Sequence, residues 1–294
     1  MERTPHWTSS LPARPDDHRR TLRVAVVGAG RFGQLHVQKL AGLPGVQVVA
    51  VADPDLGRAR HLAAQVGAQP CASVHDLPAV DAATVVVPLD ALASVAGALL
   101  ARGAHVLVEK PLAATAEQAR ALVTLAERAD RLLAVGYLER FNPALVGFRA
   151  GARLVARRVG PRAVGPLALD WLVHDLDLTR FFLGGDLEVV AVRQGVDHVG
   201  LRLVGPSGEA RVFAREGLAG VRRHLWGVGG RVDLRSGGDA LGLELAAFCA
   251  AARGAPSGAL ALGADGLAAL LRVEAAQVIS GGASPRHSAS LVAR

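Results

Sequence analysis

Leu22-Arg23-Val24-Ala25-Val26-Val27-Gly28-Ala29-Gly30-Arg31-Phe32-Gly33 is the stretch that decides the fold. A β-branched apolar run passes directly into a Gly-x-Gly-x-x-Gly turn, and Phe32–Leu43 continues with helical length and composition. Strand, glycine turn and helix in that order let a backbone approach a pyrophosphate, whose charge the helix N-terminus favours. Asp53 lies 20 residues beyond Gly33, at the end of a second apolar run, where an acid would take ribose hydroxyls. Gly28, Ala29, Gly30, Arg31, Phe32, Gly33 and Asp53 are therefore the first candidates for cofactor binding. A carboxylate at Asp53 accepts from both hydroxyls and repels a 2′-phosphate, so NAD is favoured over NADP. Arg58 is the nearby residue that would soften that choice.

Outward from this stretch, Val46–Ala52, Ala83–Val87, His105–Val108 and Arg131–Tyr137 read as strands with little polar alternation. Such strands are buried on both faces, as in a parallel sheet covered by helices. Leu56–Val66, Ala91–Arg102 and Thr115–Arg128 read as the intervening helices. This βαβα order predicts an α/β, doubly wound Rossmann domain over residues 21–135. From residue 136 the pattern changes. A helix is expected from Asp170 to Leu183, stopped by Gly184-Gly185. Runs at hairpin spacing follow: Leu187–Arg193, His198–Val204, Ala210–Arg215, Val221–Trp226 and Arg231–Leu234. Helices over Leu241–Arg253 and Leu262–Ile279 close an α+β domain assigned to residues 136–294.

The 294 residues suffice for two ordinary domains. A chain of that size buries about three-quarters of its unfolded surface and needs no disulfide or metal for a core. With 51% hydrophobic and 20% charged residues, a wholly disordered chain is excluded. Cys71 and Cys249 fit neither zinc spacing nor a disulfide framework, so a cytoplasmic location and no metal are expected. Residues 1–20 carry no apolar run and read as a disordered tail rather than a secretory signal. Ala82–Ala101 has the length of a membrane span, but Pro88-Leu89-Asp90 breaks it into a buried strand and a buried helix. The net charge of +7 comes mostly from arginines scattered along the chain, with no aromatic-interleaved basic stripe. A solvated basic surface is expected, not a nucleic-acid partner.

Two further clusters carry chemistry. Glu109-Lys110-Pro111 ends the strand His105–Val108, and ligands of open α/β sheets lie beyond the carboxyl ends of the strands. A chain that writes Arg nearly everywhere keeps Lys at 110, and an ammonium passes a proton where a guanidinium cannot. In Asp170-Trp171-Leu172-Val173-His174-Asp175-Leu176-Asp177, the spacing i, i+4, i+7 puts Asp170, His174 and Asp177 on one helical face. Leu172, Val173 and Leu176 would pack inward. A histidine flanked by carboxylates suits an enzyme that takes an alcohol proton during hydride transfer.

The glycine loop, Glu-Lys-Pro at a strand end and Asp-x-x-x-His-x-x-Asp on a later helix, in that order, resemble the Gfo/Idh/MocA oxidoreductases, from about Leu22 to Gly281. The resemblance implies a Rossmann domain followed by a domain with an open, mostly antiparallel sheet that often forms the oligomer interface. It implies Lys110, Asp170 and His174 as catalytic residues, with Glu109 and Lys110 near the nicotinamide. Gly136-Tyr137-Leu138-Glu139-Arg140-Phe141-Asn142-Pro143 resembles nucleotide-sugar 3-dehydrogenases of that family, and Arg140 and Asn142 join Asp170 and His174 as substrate candidates.

Two departures stand out. The family's frequent Thr-Pro-Thr-x-x-His is replaced by Val87-Pro88-Leu89-Asp90-Ala91-Leu92, so Val87, Leu89 and Leu92 stand where polar cofactor contacts are usual, with Val87 and Pro88 kept as cofactor-binding candidates. The region from Leu187 to Gly242 is also short. The function expected is an NAD-dependent oxidoreductase acting on a secondary alcohol of a sugar, nucleotide sugar or cyclitol, as a homo-oligomer. The departures leave an alternative open: a nicotinamide-binding sensor or assembly protein without turnover.

Overall fold

Valine-rich runs buried on both faces build a parallel sheet in the first part of the chain. The structure, a computed structural model, describes residues 20–161, 168–217, 219–236 and 238–280. The expected tail lies outside them except for Arg20, whose guanidinium meets Asp81. The chain divides into two compact units: residues up to Gly147 with Ser236–Ala268, and Phe148–Arg235 with residues from Ala269 onward.

In the first unit, β1 (Leu22–Val27), β2 (Val46–Ala52), β3 (Gln69–Cys71), β4 (Ala82–Val85), β5 (His105–Glu109) and β6 (Leu133–Gly136) run parallel. They alternate with α1 (Arg31–Ala41), α2 (Leu56–Ala64), α3 (Leu89–Ala101) and α4 (Ala116–Ala129). The spatial order is β6-β5-β4-β1-β2-β3, so the winding reverses between β1 and β4. A doubly wound sheet binds its ligand in the crevice at that reversal, beyond the carboxyl ends of the strands. The helices start on local signals: the side chain of Asp55 accepts from the Arg58 N–H, and that of Thr115 from the Gln118 N–H. Helix α1 is different. Its N-cap is Gly30, so no side chain claims the first-turn N–H groups.

In the second unit, β7 (Arg153–Val159) precedes α5 (Val173–Leu183). Then come β8 (Glu188–Gln194), β9 (His198–Gly205), β10 (Gly208–Arg215), β11 (Arg222–Gly227) and β12 (Gly230–Asp233). They form one sheet in the order β12-β11-β7-β10-β9-β8. Every neighbouring pair is antiparallel except β7 with β10. The five expected strands are present, and β7 is an addition at the middle of the sheet. Arg153, Arg157 and Arg158 interrupt its apolar run, which hides it from a pattern search. Helix α5 packs on β7 and β10, and Leu154, Ala156, Leu201, Leu203, Val212 and Leu176 are buried.

The last elements are α6 (Ala240–Ala252), β13 (Ala261–Leu262) and α7 (Gly263–Ile279). Strand β13 pairs antiparallel with β6, and α6 packs against α1. Leu245, Phe248 and Cys249 of α6 share a buried cluster with Val37 and Leu40 of α1. Lys39 Nζ is 2.8 Å from Oδ2 of Asp239, the N-cap of α6. Residues 236–268, assigned with the second domain from sequence, therefore pack with the first unit: α6 is apolar over most of its length and buries itself on α1.

Candidate active site

At the end of β1 the chain turns against β4. A Cβ on Gly28, where φ is +106°, would lie 2.1 Å from the Val86 carbonyl oxygen, and one on Gly33 would lie 1.8 Å from the Gly28 oxygen. Neither site accepts a side chain. Gly30 is the opposite case, since a Cβ there meets nothing within 4 Å. Asp53, at the end of β2, braces this turn: Oδ2 accepts from the Ala29 N–H at 2.7 Å and Oδ1 from the Asp55 N–H at 2.9 Å. Each oxygen keeps a second lone pair for a hydroxyl donor. A cleft of about 370 Å³ opens beside Ala29, bordered by Gln34, Asp55, Arg58 and His61. In it Arg58 Nε is 3.2 Å from Asp55 Oδ2.

These features fit a dinucleotide. The space over Gly30 admits a pyrophosphate, the uncapped N–H groups of α1 suit its charge, and Asp53 has acceptor capacity left. Arg31 and Phe32 are exposed at the head of α1. Across the crevice, β4 ends at Val85, two residues earlier than expected. Val87 is half-buried, its Cγ1 3.4 Å from the Cβ position of Gly28, and Pro88 is the exposed N-cap of α3.

Glu109 is the last residue of β5, and the half-buried Lys110 follows it, joined to Pro111 by a cis peptide bond. Glu109 is itself buried. Its Oε1 is 3.1 Å from His36 Nε2, and its Oε2 accepts from the Lys110 N–H at 3.3 Å. The carboxylate lies over Gly136 at the end of β6, where a Cβ would come within 2.8 Å of Oε1. His36 was not among the candidates from sequence. Its signal is a histidine on the buried face of α1, in line with Gly33, Val37 and Leu40.

Arg140 and Asn142 face inward. Arg140 Nη1 donates to the Leu260 carbonyl at 3.3 Å, and Nη2 is 3.4 Å from Asp265 Oδ2. Asn142 Nδ2 donates to Glu139 Oε2 at 2.8 Å, and its Oδ1 accepts from the Ala144 N–H at 3.0 Å. Both sets of contacts hold the chain that follows β6.

In the second unit Asp170 belongs to a π-helical turn, Ala168–Leu172, so the α-helix proper starts at Val173 rather than at Asp170. Turns of this kind are frequent at functional sites. Asp170 and His174 are half-buried, while Asp175 and Asp177 are buried. Asp177, expected to share the face of His174, thus lies inside. Leu172, Val173 and Leu176 pack inward as expected. Among the described residues no group of three His, Cys, Asp or Glu side chains could hold a metal ion. Nor is any described helix long and apolar enough to cross a membrane.

Residues 22–137 match the family model of the Gfo/Idh/MocA oxidoreductases, described as an oxidoreductase family with an NAD-binding Rossmann fold. UDP-N-acetylglucosamine 3-dehydrogenase of Acidithiobacillus ferrooxidans is 34% identical over 56% of this chain and 55% of its own length. The chain thus spans about half the length of some curated relatives. Its match to the rhizopine catabolism protein MocA of Rhizobium meliloti is longer, 32% identical over 87% of this chain and 94% of that protein. Among solved structures, the A. ferrooxidans UDP-N-acetylglucosamine 3-dehydrogenase GnnA superposes with a TM-score of 0.77 at 26% identity, covering 88% of this chain and 97% of that one. GenD2 from gentamicin A biosynthesis, solved with NAD, shares the fold with a TM-score of 0.76 at 20% identity, over 95% of this chain and 97% of that one. The chain belongs to the Gfo/Idh/MocA oxidoreductase family, and residues 22–137 match that family's NAD-binding Rossmann fold.

Proposed function

We propose that the protein is an NAD-dependent dehydrogenase that moves a hydride between nicotinamide and a secondary alcohol of a sugar, nucleotide sugar or cyclitol. The observation that carries this reading is Lys110 at the carboxyl end of β5, in a sheet whose glycine turn and Asp53 fit a dinucleotide. NAD, when bound, accepts or returns the hydride. His174 takes the proton of the substrate hydroxyl, Lys110 hydrogen-bonds the hydroxyl oxygen, and Asp170 orients substrate and His174. Acid–base help of this kind is worth about 10²–10⁴-fold in rate. Glu109, Val87 and Pro88 border the nicotinamide end, and the glycine turn with Arg31 and Phe32 borders the pyrophosphate.

Arg140 and Asn142, considered as substrate contacts, act in this proposal by holding the wall behind the site, because their side chains bond to protein groups. NAD is preferred over NADP through Asp53. The face of the second-unit sheet that carries the exposed Val155 and Arg202 is the proposed surface for self-association, and the two buried free cysteines suit a reducing, cytoplasmic location. The sensor reading draws no support from the relatives, several of which are named as dehydrogenases. The test is a screen of purified protein with NAD against cyclitols, aldoses and UDP-sugars, following NADH. Turnover on at least one is expected. Tight NAD binding with no turnover on any of them would turn the assignment to the sensor.

A further inference from the structure

His36 and Glu109 are 73 positions apart, yet their side chains meet at 3.1 Å inside the first unit. The histidine is fully buried on α1, beside Val37 and Leu40, and its Nδ1 has no hydrogen-bond partner among the described residues. Packing alone would favour an apolar side chain there, as at those two neighbours. Among the described residues, the one hydrogen bond of the His36 side chain goes to Glu109, and a carboxylate acceptor fixes the ring proton on Nε2. Glu109 is equally unusual as the buried end of a core strand. Its carboxylate is confined by His36, by the Lys110 N–H at 3.3 Å and by Gly136, whose missing side chain leaves the space it fills.

We propose that His36 is a positioning residue for Lys110: its Nε2–H holds the Glu109 carboxylate against Gly136, and that carboxylate in turn holds the backbone N–H of Lys110. The proposal rests on the part given to Lys110 under Proposed function. Anchored in this way, the carboxylate is committed to His36 and to the backbone N–H of Lys110. Without its histidine donor it is free to turn toward the Lys110 ammonium and lower that amine's reactivity.

Selective acylation reads this directly. The chain contains two lysines, Lys39 and Lys110, so mass spectrometry of peptides after treatment with N-hydroxysuccinimidyl acetate follows each separately. Lys39, paired with Asp239 at 2.8 Å, serves as the internal standard. In His36→Leu, the Lys110 to Lys39 rate ratio is expected to fall by about threefold or more, as an added carboxylate partner stabilises the ammonium. His36→Gln keeps an N–H donor toward Glu109 and should restore the ratio to within about twofold of the native one. Glu109→Gln carries no carboxylate to pair with the ammonium, so adding it to His36→Leu should abolish the fall; His36→Met serves if the leucine variant does not fold. An unmoved ratio in a folded His36→Leu protein, or a fall that persists when Glu109→Gln is added, overturns the proposal. So does a His36→Gln ratio displaced as far as that of the leucine variant. The labelling requires no turnover. A Lys110→Arg enzyme with full activity would therefore overturn the catalytic reading of Lys110 separately from this result.

Discussion

Arg158 and Asp175 form a buried, two-point ion pair: Nη2 lies 3.1 Å from Oδ1, and Nε lies 3.3 Å from Oδ2. It joins the middle strand of the second sheet to the helix that carries His174, one residue before Asp175 in the chain. Both side chains are under one-tenth exposed, at 7% and 3%. Removing one member strands the other charge in the interior. Asp175→Asn is therefore expected to lower unfolding free energy by about 3–5 kcal/mol. An apolar pair, Arg158→Met with Asp175→Leu, should recover most of that loss. Urea unfolding of the three proteins checks this, and an Asn variant as stable as the native chain would refute it.

The same pair explains what the sequence could not announce. β1 and β2 have the bounds that their valine runs imply, and the glycine turn sits where its spacing puts it, because those signals are local. β7 escaped because Arg158 reads as a surface residue until Asp175 is seen beside it. The π-helical turn at Asp170, the pairing of β13 with β6 and the contact of His36 with Glu109 depend likewise on distant or irregular packing. Lys110, Asp170 and His174 stood out in the sequence as candidates by residue type and spacing, whereas the scaffolding around Arg140 and Asn142 required Asp265 and Glu139 to be placed.

Gly30 separates folding from binding. Its φ of −75° and ψ of −172° suit alanine, and a Cβ there meets no protein atom within 4 Å. Gly30→Ala should thus leave stability unchanged or raise it by about 0.4–1 kcal/mol. The methyl group would enter the space assigned to the pyrophosphate and weaken NAD by about tenfold or more, about 1.4 kcal/mol. Thermal melts and calorimetric titration read the two effects apart. Undiminished NAD affinity would move the pyrophosphate elsewhere.

Asp53 braces Ala29, and in the proposed function it also receives the ribose, the duty on which cofactor choice would depend. NAD should bind the native protein more tightly than NADP. Asp53→Ala should weaken NAD by about 10–100-fold, the worth of a hydrogen bond to a charged group. Calorimetric titration with both cofactors measures this. Equal or tighter binding of NADP by the native protein would transfer the choice to Arg58.

Burial pushes the Cys249 thiol from its ordinary 9.0 up to about 12. Above about pH 9 the unfolded chain releases that proton while the folded chain retains it, so stability falls as pH rises. The contribution is fully present below that pH and declines by about 1.4 kcal/mol per unit toward pH 12. Urea unfolding at about pH 8 and about pH 10 should show a smaller alkaline loss in Cys249→Ala than in the native protein. Identical losses would contradict the burial argument.

Lys110→Arg is the most direct test of the catalytic account. Arginine keeps the positive charge but presents a bulkier planar fork and cannot cycle its proton near neutral pH. With any alcohol that the native enzyme oxidises, NADH formation by the variant should fall by about 10²-fold or more in kcat. Its affinity for NAD, measured on the same preparation, should stay close to native. Arginine is the commonest cation in this chain, so a mere loop ion pair would accept it readily. Near-native kcat in the arginine variant would contradict the account and take Lys110 out of the reaction.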